Sequence, residues 1–261
     1  MAKTGSPTDA TSSWTGLRGT VGVVTGAGGT IGLAITQALL GEGVHVVMAD
    51  LNTDALSRAT ASLNRDEEVS AVCGDVSNED DVARVAQVVE ATGGRLSIWV
   101  NNAGIILRDS AEQTTACDWD RIMAVNLRSV LLGSQAARRL MVPHGTGSIV
   151  NISSITAYRT IGTRAAYGSS KAAIEQFTRF AACEWGPHGI RVNAIAPGFI
   201  LTPMSHLFNA MPKQLAEGVS DVPLRRVGTP EDIANAVLMI SSTKMDYVTG
   251  QVLRVDGGLS A

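Results

Sequence analysis

Charge, cysteine and aromatic side chains are all scarce in this chain of 261 residues, and each scarcity removes a class of function. Only 17% of residues are charged, 21 basic groups against 24 acidic ones leave a net −3, and like charges never form a run. A polyanionic partner needs a basic stripe, so neither nucleic acid nor an anionic membrane surface is expected as a partner. Cys73, Cys117 and Cys183 are odd in number and far apart, which suits neither a disulfide framework nor paired metal ligation and fits a reducing, cytoplasmic setting. The four histidines never approach HExxH spacing, and no metal is expected. No stretch of about 18 apolar residues is present to span a bilayer, and residues 1–13, rich in Ser, Thr, Pro and Gly, lack the apolar segment of a signal peptide. Residues 1–16 are expected to form a flexible tail. Residues 17–261 then make a single domain, long enough to bury roughly 75% of its unfolded surface without a staple.

What is present is alternation. Short β-branched runs at Val21–Thr25, Val44–Asp50, Val69–Cys73, Ile98–Asn101, Ser148–Ser153, Arg191–Ala196 and Val252–Asp256 predict strands. Segments of helical period lie between them, at about 31–42, 53–64, 78–92, 118–141, 164–186 and 230–242, with Asn52 and Thr229-Pro230 as start signals. Right-handed crossovers then give a doubly wound α/β fold, a seven-stranded parallel sheet with helices on both faces and ligands beyond the carboxyl ends of the strands. The least regular stretch, 199–228, contains Pro203, Pro212 and Pro223 and is expected to cover a substrate. Met204, Leu207, Phe208 and Met211 would give this lid an apolar side.

Thr25-Gly26-Ala27-Gly28-Gly29-Thr30-Ile31-Gly32 follows the first strand and opens a helix, a context in which backbone N–H groups and the helix dipole can receive a pyrophosphate. Thr30 is expected to N-cap that helix, with Gly28 and Gly29 giving the loop its freedom. Asp50 ends the second strand 24 residues beyond Gly26. A carboxylate there binds a ribose 2′-hydroxyl and repels a 2′-phosphate, and no Arg or Lys lies between Thr25 and Asp50, so NAD is expected over NADP.

Tyr167 and Lys171 stand four residues apart on a predicted helix, which stacks phenol and ammonium on one face. Many solvated helix faces carry such a pair. It gains meaning from Ser154, thirteen residues upstream at a strand end, and from Asn126 in the preceding long helix. Making a tyrosine a base near neutrality asks for about 3 pKa units, or ~4 kcal/mol. A cation ~4 Å away supplies about 4 kcal/mol at an effective dielectric of 20. Strand alternation lets only one of Ser153 and Ser154 face the site, and the spacing to Tyr167 selects Ser154. Arg108, Arg159 and Arg164 lie near these motifs and could reach an acidic or polyol substrate; surface arginines are common, and none is assigned to the site.

Taken together, residues 17–258 resemble a short-chain dehydrogenase/reductase of the family's main type. The resemblance rests on the glycine loop 25–32, Asp75-Val76, Asn101-Asn102-Ala103-Gly104, Asn126, Ser154, Tyr167, Lys171, Pro197-Gly198 and Asp256-Gly257-Gly258, in the family's order and spacing. It implies a Rossmann-type fold and NAD-dependent interconversion of a secondary alcohol and a ketone. Tyr167 would be the general acid/base, Ser154 would bond the substrate oxygen, Lys171 would bind the nicotinamide ribose and lower the tyrosine pKa, and Asn126 would hold a proton-relay water. The cofactor contacts it implies begin with Gly26, Gly28, Gly29, Thr30, Ile31 and Gly32 in the glycine loop, followed by Asp50 and Leu51. Asp75 and Val76 would meet the adenine, and Asn102, Ala103 and Gly104 the adenosine side. Pro197, Gly198, Ile200 and Thr202 complete the set, the last two at the nicotinamide carboxamide. A homotetramer and a small-molecule alcohol or ketone partner follow from the same resemblance. Two positions depart from the family pattern: Thr30 stands where the loop has its middle glycine, and Ser97 where relatives often have Asp. Two rivals are weighed. Asp50 speaks against an NADPH-dependent reductase of 3-oxoacyl thioesters, and the complete catalytic set speaks against a non-catalytic nucleotide sensor.

Overall fold

The computed structural model describes residues 14–202, 205 and 219–261. Seven strands, β1 (Val21–Thr25), β2 (His45–Asp50), β3 (Val69–Cys73), β4 (Leu96–Asn101), β5 (Gly147–Ile152), β6 (Ile190–Pro197) and β7 (Val252–Val255), form one sheet in the order β3-β2-β1-β4-β5-β6-β7. Every neighbouring pair is parallel, as the alternation requires. The crossovers are α1 (Thr30–Gly41), α2 (Thr53–Leu63), α3 (Glu79–Ala91), α4 (Ala116–Met123), α5 (Ser129–Met141), α6 (Ala165–Trp185) and α7 (Pro230–Ser241). Strands β1, β4 and β5 are buried along their whole length, which is why they read as unbroken apolar runs.

The period-2 geometry of the strands divides the core in two. Ile98 and Val100 of β4 face α1, α2 and α7, where Ile35, Leu39, Leu56 and Val237 pack. Trp99 between them faces α3, α5 and α6, with Val85, Met141 and Ala181. Among the described residues no helix is long and apolar enough to cross a membrane.

Local signals act where the sequence places them, with three differences. Asn52 caps α2 by accepting from the Ala55 N–H, and Thr229 forms a capping box with Asp232 at α7, Pro230 following it. Thr30, however, is not a cap: Gly29 is the N-cap of α1, no side chain caps it, and Thr30 is the first helical residue, its side chain exposed. The helix expected over 118–141 is broken by a π turn at Ala124–Arg128. The tail expected through residue 16 is tied down by residue 15: Thr15 is buried, its hydroxyl donates to Glu42 at 2.7 Å, and its carbonyl accepts from the Thr243 N–H at 2.9 Å. In the expected lid, Pro203, Met204, Leu207, Phe208, Met211 and Pro212 lie outside the described residues. Its base is held where Leu201 N–H donates to Gly228 and Gly228 N–H to Phe199, each at 2.9 Å.

One glycine fixes the entry to α1. A Cβ on Gly32 would lie 2.2 Å from the Gly26 carbonyl oxygen and 2.8 Å from the Ala27 Cα, both backbone atoms. Gly32→Ala is therefore expected to cost about 3 kcal/mol, or roughly 6–12 °C of thermal midpoint. Unfolding followed by circular dichroism checks this, and an unchanged midpoint would show that the loop yields freely.

Candidate active site

Crossovers leave β1 and β4 toward opposite faces of the sheet, which opens a crevice at the carboxyl edge between them. A cavity of about 780 Å³ occupies that edge. Its floor is clamped by Thr25, whose hydroxyl accepts from the N–H groups of Asn102 and Ala103 at 3.0 and 3.1 Å. The Asn102 side chain returns donors to the carbonyls of Thr25 and Gly26 at 2.9 and 3.2 Å. Gly26, at φ 64°, is pressed so close that a Cβ would sit 2.9 Å from the Ala103 Cα.

At one end of the cavity Gly26, Gly29, Thr30, Ile31 and Gly32 form the wall, with the uncapped N-terminus of α1 behind them. Gly28 does not reach the cavity. It packs against α2, where a Cβ would meet Ala55 and Leu56 backbone atoms at 3.0 Å, and its N–H donates to Asp50 Oδ2 at 2.9 Å. Asp50 Oδ1 accepts from the Asn52 N–H at 2.9 Å, so each oxygen holds one backbone donor and keeps a lone pair for a ligand hydroxyl. Leu51, Asp75 and Val76 extend this end, Asp75 being fixed by the Ser77 N–H and hydroxyl at 2.9 and 2.7 Å. Asn102, Ala103 and Gly104 lie between the two ends.

Ser154, Tyr167, Lys171, Pro197, Gly198, Ile200 and Thr202 line the other end. Ser154 leaves β5 and caps a short 3-10 turn, accepting from the Thr156 N–H at 3.2 Å and the Thr156 hydroxyl at 3.0 Å, and its hydroxyl lies near enough to the Tyr167 phenol to favour the phenolate. Ser153 turns its hydroxyl the other way, to Glu175 at 2.9 Å, inside α6. Lys171 follows Tyr167 by one turn of α6; it is buried, with Nζ donating to the Ile152 carbonyl at 2.8 Å and lying 5.6 Å from the centre of the Tyr167 ring. Burial brings its pKa down to about 8. Burial pushes the Tyr167 phenol above its ordinary value, opposed by the Ser154 hydroxyl and then by the charges of Arg164 and Arg108.

The Asn126 side chain is fully engaged in hydrogen bonds within the protein. It is wholly buried in the π turn, its Oδ1 accepts from Ile105 N–H at 2.8 Å, and its two amide donors go to the Ile105 carbonyl and the Ser170 hydroxyl, both at 3.0 Å. Ser170 in turn donates to the Tyr167 carbonyl at 2.7 Å. The amide thus ties the loop after β4 to the backbone of α6, outside the cavity wall. Sequence reading passed over Thr25, Ile105 and Ser170 in these ties and left Arg108 and Arg164 unassigned, although both line the cavity. The position of Arg164, one helical turn before Tyr167, was the available signal. Arg159 instead bonds the Leu259 carbonyl at 2.9 Å and pairs with Asp221 at 3.4 Å.

The family model described as enoyl-(acyl carrier protein) reductase matches residues 26–260. Galactitol 2-dehydrogenase of Rhizobium johnstonii is 40% identical over 252 residues, 94% of this chain and 96% of the relative. The solved short-chain dehydrogenase/reductase of Brucella melitensis, a glucose/ribitol dehydrogenase, superposes with a TM-score of 0.88 at 30% identity, covering 94% of this chain and 98% of that one. The chain belongs to the short-chain dehydrogenase/reductase family. A second solved member, from Beutenbergia cavernae and provisionally named an NAD(P)-dependent gluconate 5-dehydrogenase, carries NADP at low occupancy; its TM-score is 0.87 at 36% identity, with 93% of this chain and 97% of that one covered. Like its family, this short-chain dehydrogenase/reductase is an oxidoreductase acting on CH–OH groups.

The buried lysine leaves a signature in stability. Lys171 releases its proton near pH 8 in the folded protein, against 10.5 when unfolded, so between those values the unfolded chain binds more protons and stability rises with pH. The rise amounts to at most about 3 kcal/mol. Lys171→Met should flatten it, as read by urea denaturation from pH 7.5 to 10; an equal rise in the variant would assign it to other groups.

Proposed function

We propose that the protein interconverts a secondary alcohol and a ketone with NAD, Tyr167 exchanging the proton at the substrate oxygen. The observation that carries this is a single cavity in which Tyr167, beside Ser154 and one turn from the buried Lys171, shares walls with the glycine cradle and Asp50. A nicotinamide dinucleotide fits the cavity chemically: Gly26, Gly29 and Gly32 line one end, the uncapped α1 N-terminus suits a pyrophosphate, and Asp50 keeps acceptors for ribose hydroxyls. Bound there, it supplies hydride exchange at the carbinol carbon.

Gly26, Gly29, Thr30, Ile31 and Gly32 would hold the pyrophosphate, Asp50 and Leu51 the adenosine ribose, and Asp75 and Val76 the adenine. Asn102, Ala103 and Gly104 would line the middle, and Pro197, Gly198, Ile200 and Thr202 would receive the nicotinamide end. In the oxidative direction Tyr167 removes the proton from the substrate hydroxyl while Ser154 holds that oxygen; reduction runs the same transfer backward. Lys171 Nζ would hold the nicotinamide ribose; that contact would keep the ammonium charged, and its charge would favour the phenolate. Asn126 acts as a positioning residue for the Tyr167 segment of α6. NAD is favoured because no Arg or Lys lies between Thr25 and Asp50, while Arg108, Arg164 and Lys171 of the described cavity wall stand by Tyr167. A cytoplasmic homotetramer belongs to the same proposal, supported by the exposed apolar side chains Leu131 of α5 and Phe180 of α6.

Two variants test it. Tyr167→Phe should lower kcat at least about 100-fold with NADH binding retained; initial rates at 340 nm over secondary alcohols and ketones decide, and retained turnover removes the assigned role. Asp50→Asn should weaken NADH and strengthen NADPH binding by roughly tenfold each, by fluorescence titration. Turnover confined to NADP(H) in the wild type would instead favour the thioester reductase.

A further inference from the structure

The loop that carries Asp75 and Val76 to the cavity is held from behind by three charged side chains. Arg84 of α3 donates to the Cys73 carbonyl at 3.1 Å, Asp81 of α3 accepts from the Asp75 N–H at 2.7 Å, and Arg128 of the π turn donates to the Ser77 carbonyl at 3.1 Å. Asp81 and Arg84 also pair with each other at 2.6 Å. Gly74 lies against that pair, so closely that a Cβ would meet Arg84 Nη2 at 3.0 Å and Asp81 Cβ at 3.1 Å. Gly74, Asp75, Val76 and Ser77 line the cavity, whereas Asp81, Arg84 and Arg128 stand outside its wall.

Asp81 is the third residue of α3, a position from which an acidic side chain commonly turns back to the N-cap N–H. That donor is already used. The Asn78 N–H goes to the Asp75 carbonyl at 2.8 Å, and the Asn78 side chain caps the helix by accepting from the N–H groups of Asp80 and Asp81. Asp81 reaches past the cap to the backbone of Asp75 instead. This bond, and after it Arg84, hold the Asp81 carboxyl below the usual carboxylate range, so it carries its charge at neutral pH. The ion pair with Arg84 is largely open to solvent and adds little to stability; what it fixes is the direction of the carboxylate. Asp75 is then tied at its N–H by Asp81, at its carbonyl by Asn78 and at Oδ1 by the Ser77 N–H and hydroxyl, and Oδ2 is the atom left to meet a ligand. Of these ties the one to Asp81 joins a full charge on a rigid helix to the loop backbone, and such bonds are about twice as strong as neutral ones.

We propose that Asp81 is a positioning residue for the adenosine end of the cofactor: by gripping the Asp75 N–H it sets the loop bearing Asp75 and Val76, without touching the ligand itself. The proposal rests on the reading of the cavity as a nicotinamide dinucleotide site and names a residue outside its wall on which one half of that site depends.

The test separates the two halves of the ligand and needs no turnover. NADH and reduced nicotinamide mononucleotide, which lacks the adenosine half, are titrated by nucleotide fluorescence, and ADP-ribose, which lacks the nicotinamide, by calorimetry. The wild type should bind NADH more tightly than the mononucleotide. Asp81→Ala should weaken NADH and ADP-ribose by the same factor, roughly tenfold, and leave the mononucleotide unmoved. Asp81→Asn, which keeps an acceptor for the Asp75 N–H, should recover part of the loss. Weakening of all three ligands alike in Asp81→Ala would mark a general disturbance of the fold, and that result, or an unchanged NADH affinity, overturns the proposal. Should Asp81→Ala fail to fold, Arg84→Gln decides, with a loss of about threefold expected in the same pattern and an equal or absent effect on the three ligands counting against it. A wild type that binds the mononucleotide as tightly as NADH and ignores ADP-ribose has no adenosine subsite, which removes the reading of the cavity together with the proposal.

Discussion

A crevice between two parallel strands exists only if something stops it from opening further, and here that constraint is the clamp around Thr25. Four hydrogen bonds join the ends of β1 and β4 through its hydroxyl and the Asn102 amide. Each is worth only about 1 kcal/mol net, but an orphaned partner in this place costs 1–3 kcal/mol, so the clamp behaves as a unit. The glycine loop on one side and the Asn102–Gly104 segment on the other take their positions from it. Gly26 has no room for a Cβ because the clamp draws Ala103 against it. Everything that lines the cavity on either side of β1 and β4 is measured from this joint.

Beneath the catalytic end a second polar frame does comparable work. Trp99 Nε1 donates to Asn101 at 2.9 Å; Asn101 reaches Ser134 and Asn151 at 3.0 and 2.8 Å; Asn151 reaches Thr178 at 3.0 Å. The chain crosses from β4 to β5 and into α5 and α6, fixing the helix that bears Tyr167 and Lys171 to the strands beneath it. The π turn at Ala124–Arg128 belongs to the same frame. Its extra residue per turn lets Asn126 face Ile105 and Ser170 while Ala124 and Val125 face the cavity. Rigid elements, more than loops, therefore set the Ser154–Tyr167–Lys171 geometry.

The sheet was legible because buried parallel strands are apolar on both faces and their crossovers are amphipathic, so Val21–Thr25 or Ile98–Asn101 could be read without any long-range contact. Asp50, Ser154, Tyr167 and Lys171 were legible through spacing, since strand ends and helical turns convert sequence distance into direction. Other features depend on which way a side chain turns once packed. Gly28 faces α2 because Ala55 and Leu56 back against it, and nothing local distinguishes it from Gly29. Asn126 sits in a helical pattern whose π turn has no periodic signature, and Thr30 gave up the cap because Gly29 took the extended conformation first. Trp99 packs in the core, yet its indole N–H also anchors the Asn101 frame, a contact that periodicity cannot express.

The buried Lys171 has a consequence for binding as well as for folding. Its amine releases a proton near pH 8 only because little besides the Ile152 carbonyl stabilises the charged form. A ligand whose oxygens accept from Nζ makes the ammonium favourable again and so draws a proton from solution as it binds. Reciprocity then requires that its affinity fall as the pH climbs past that value. Ligand occupancy in this fold is thereby coupled to proton activity through a side chain that need never pass a proton to the substrate.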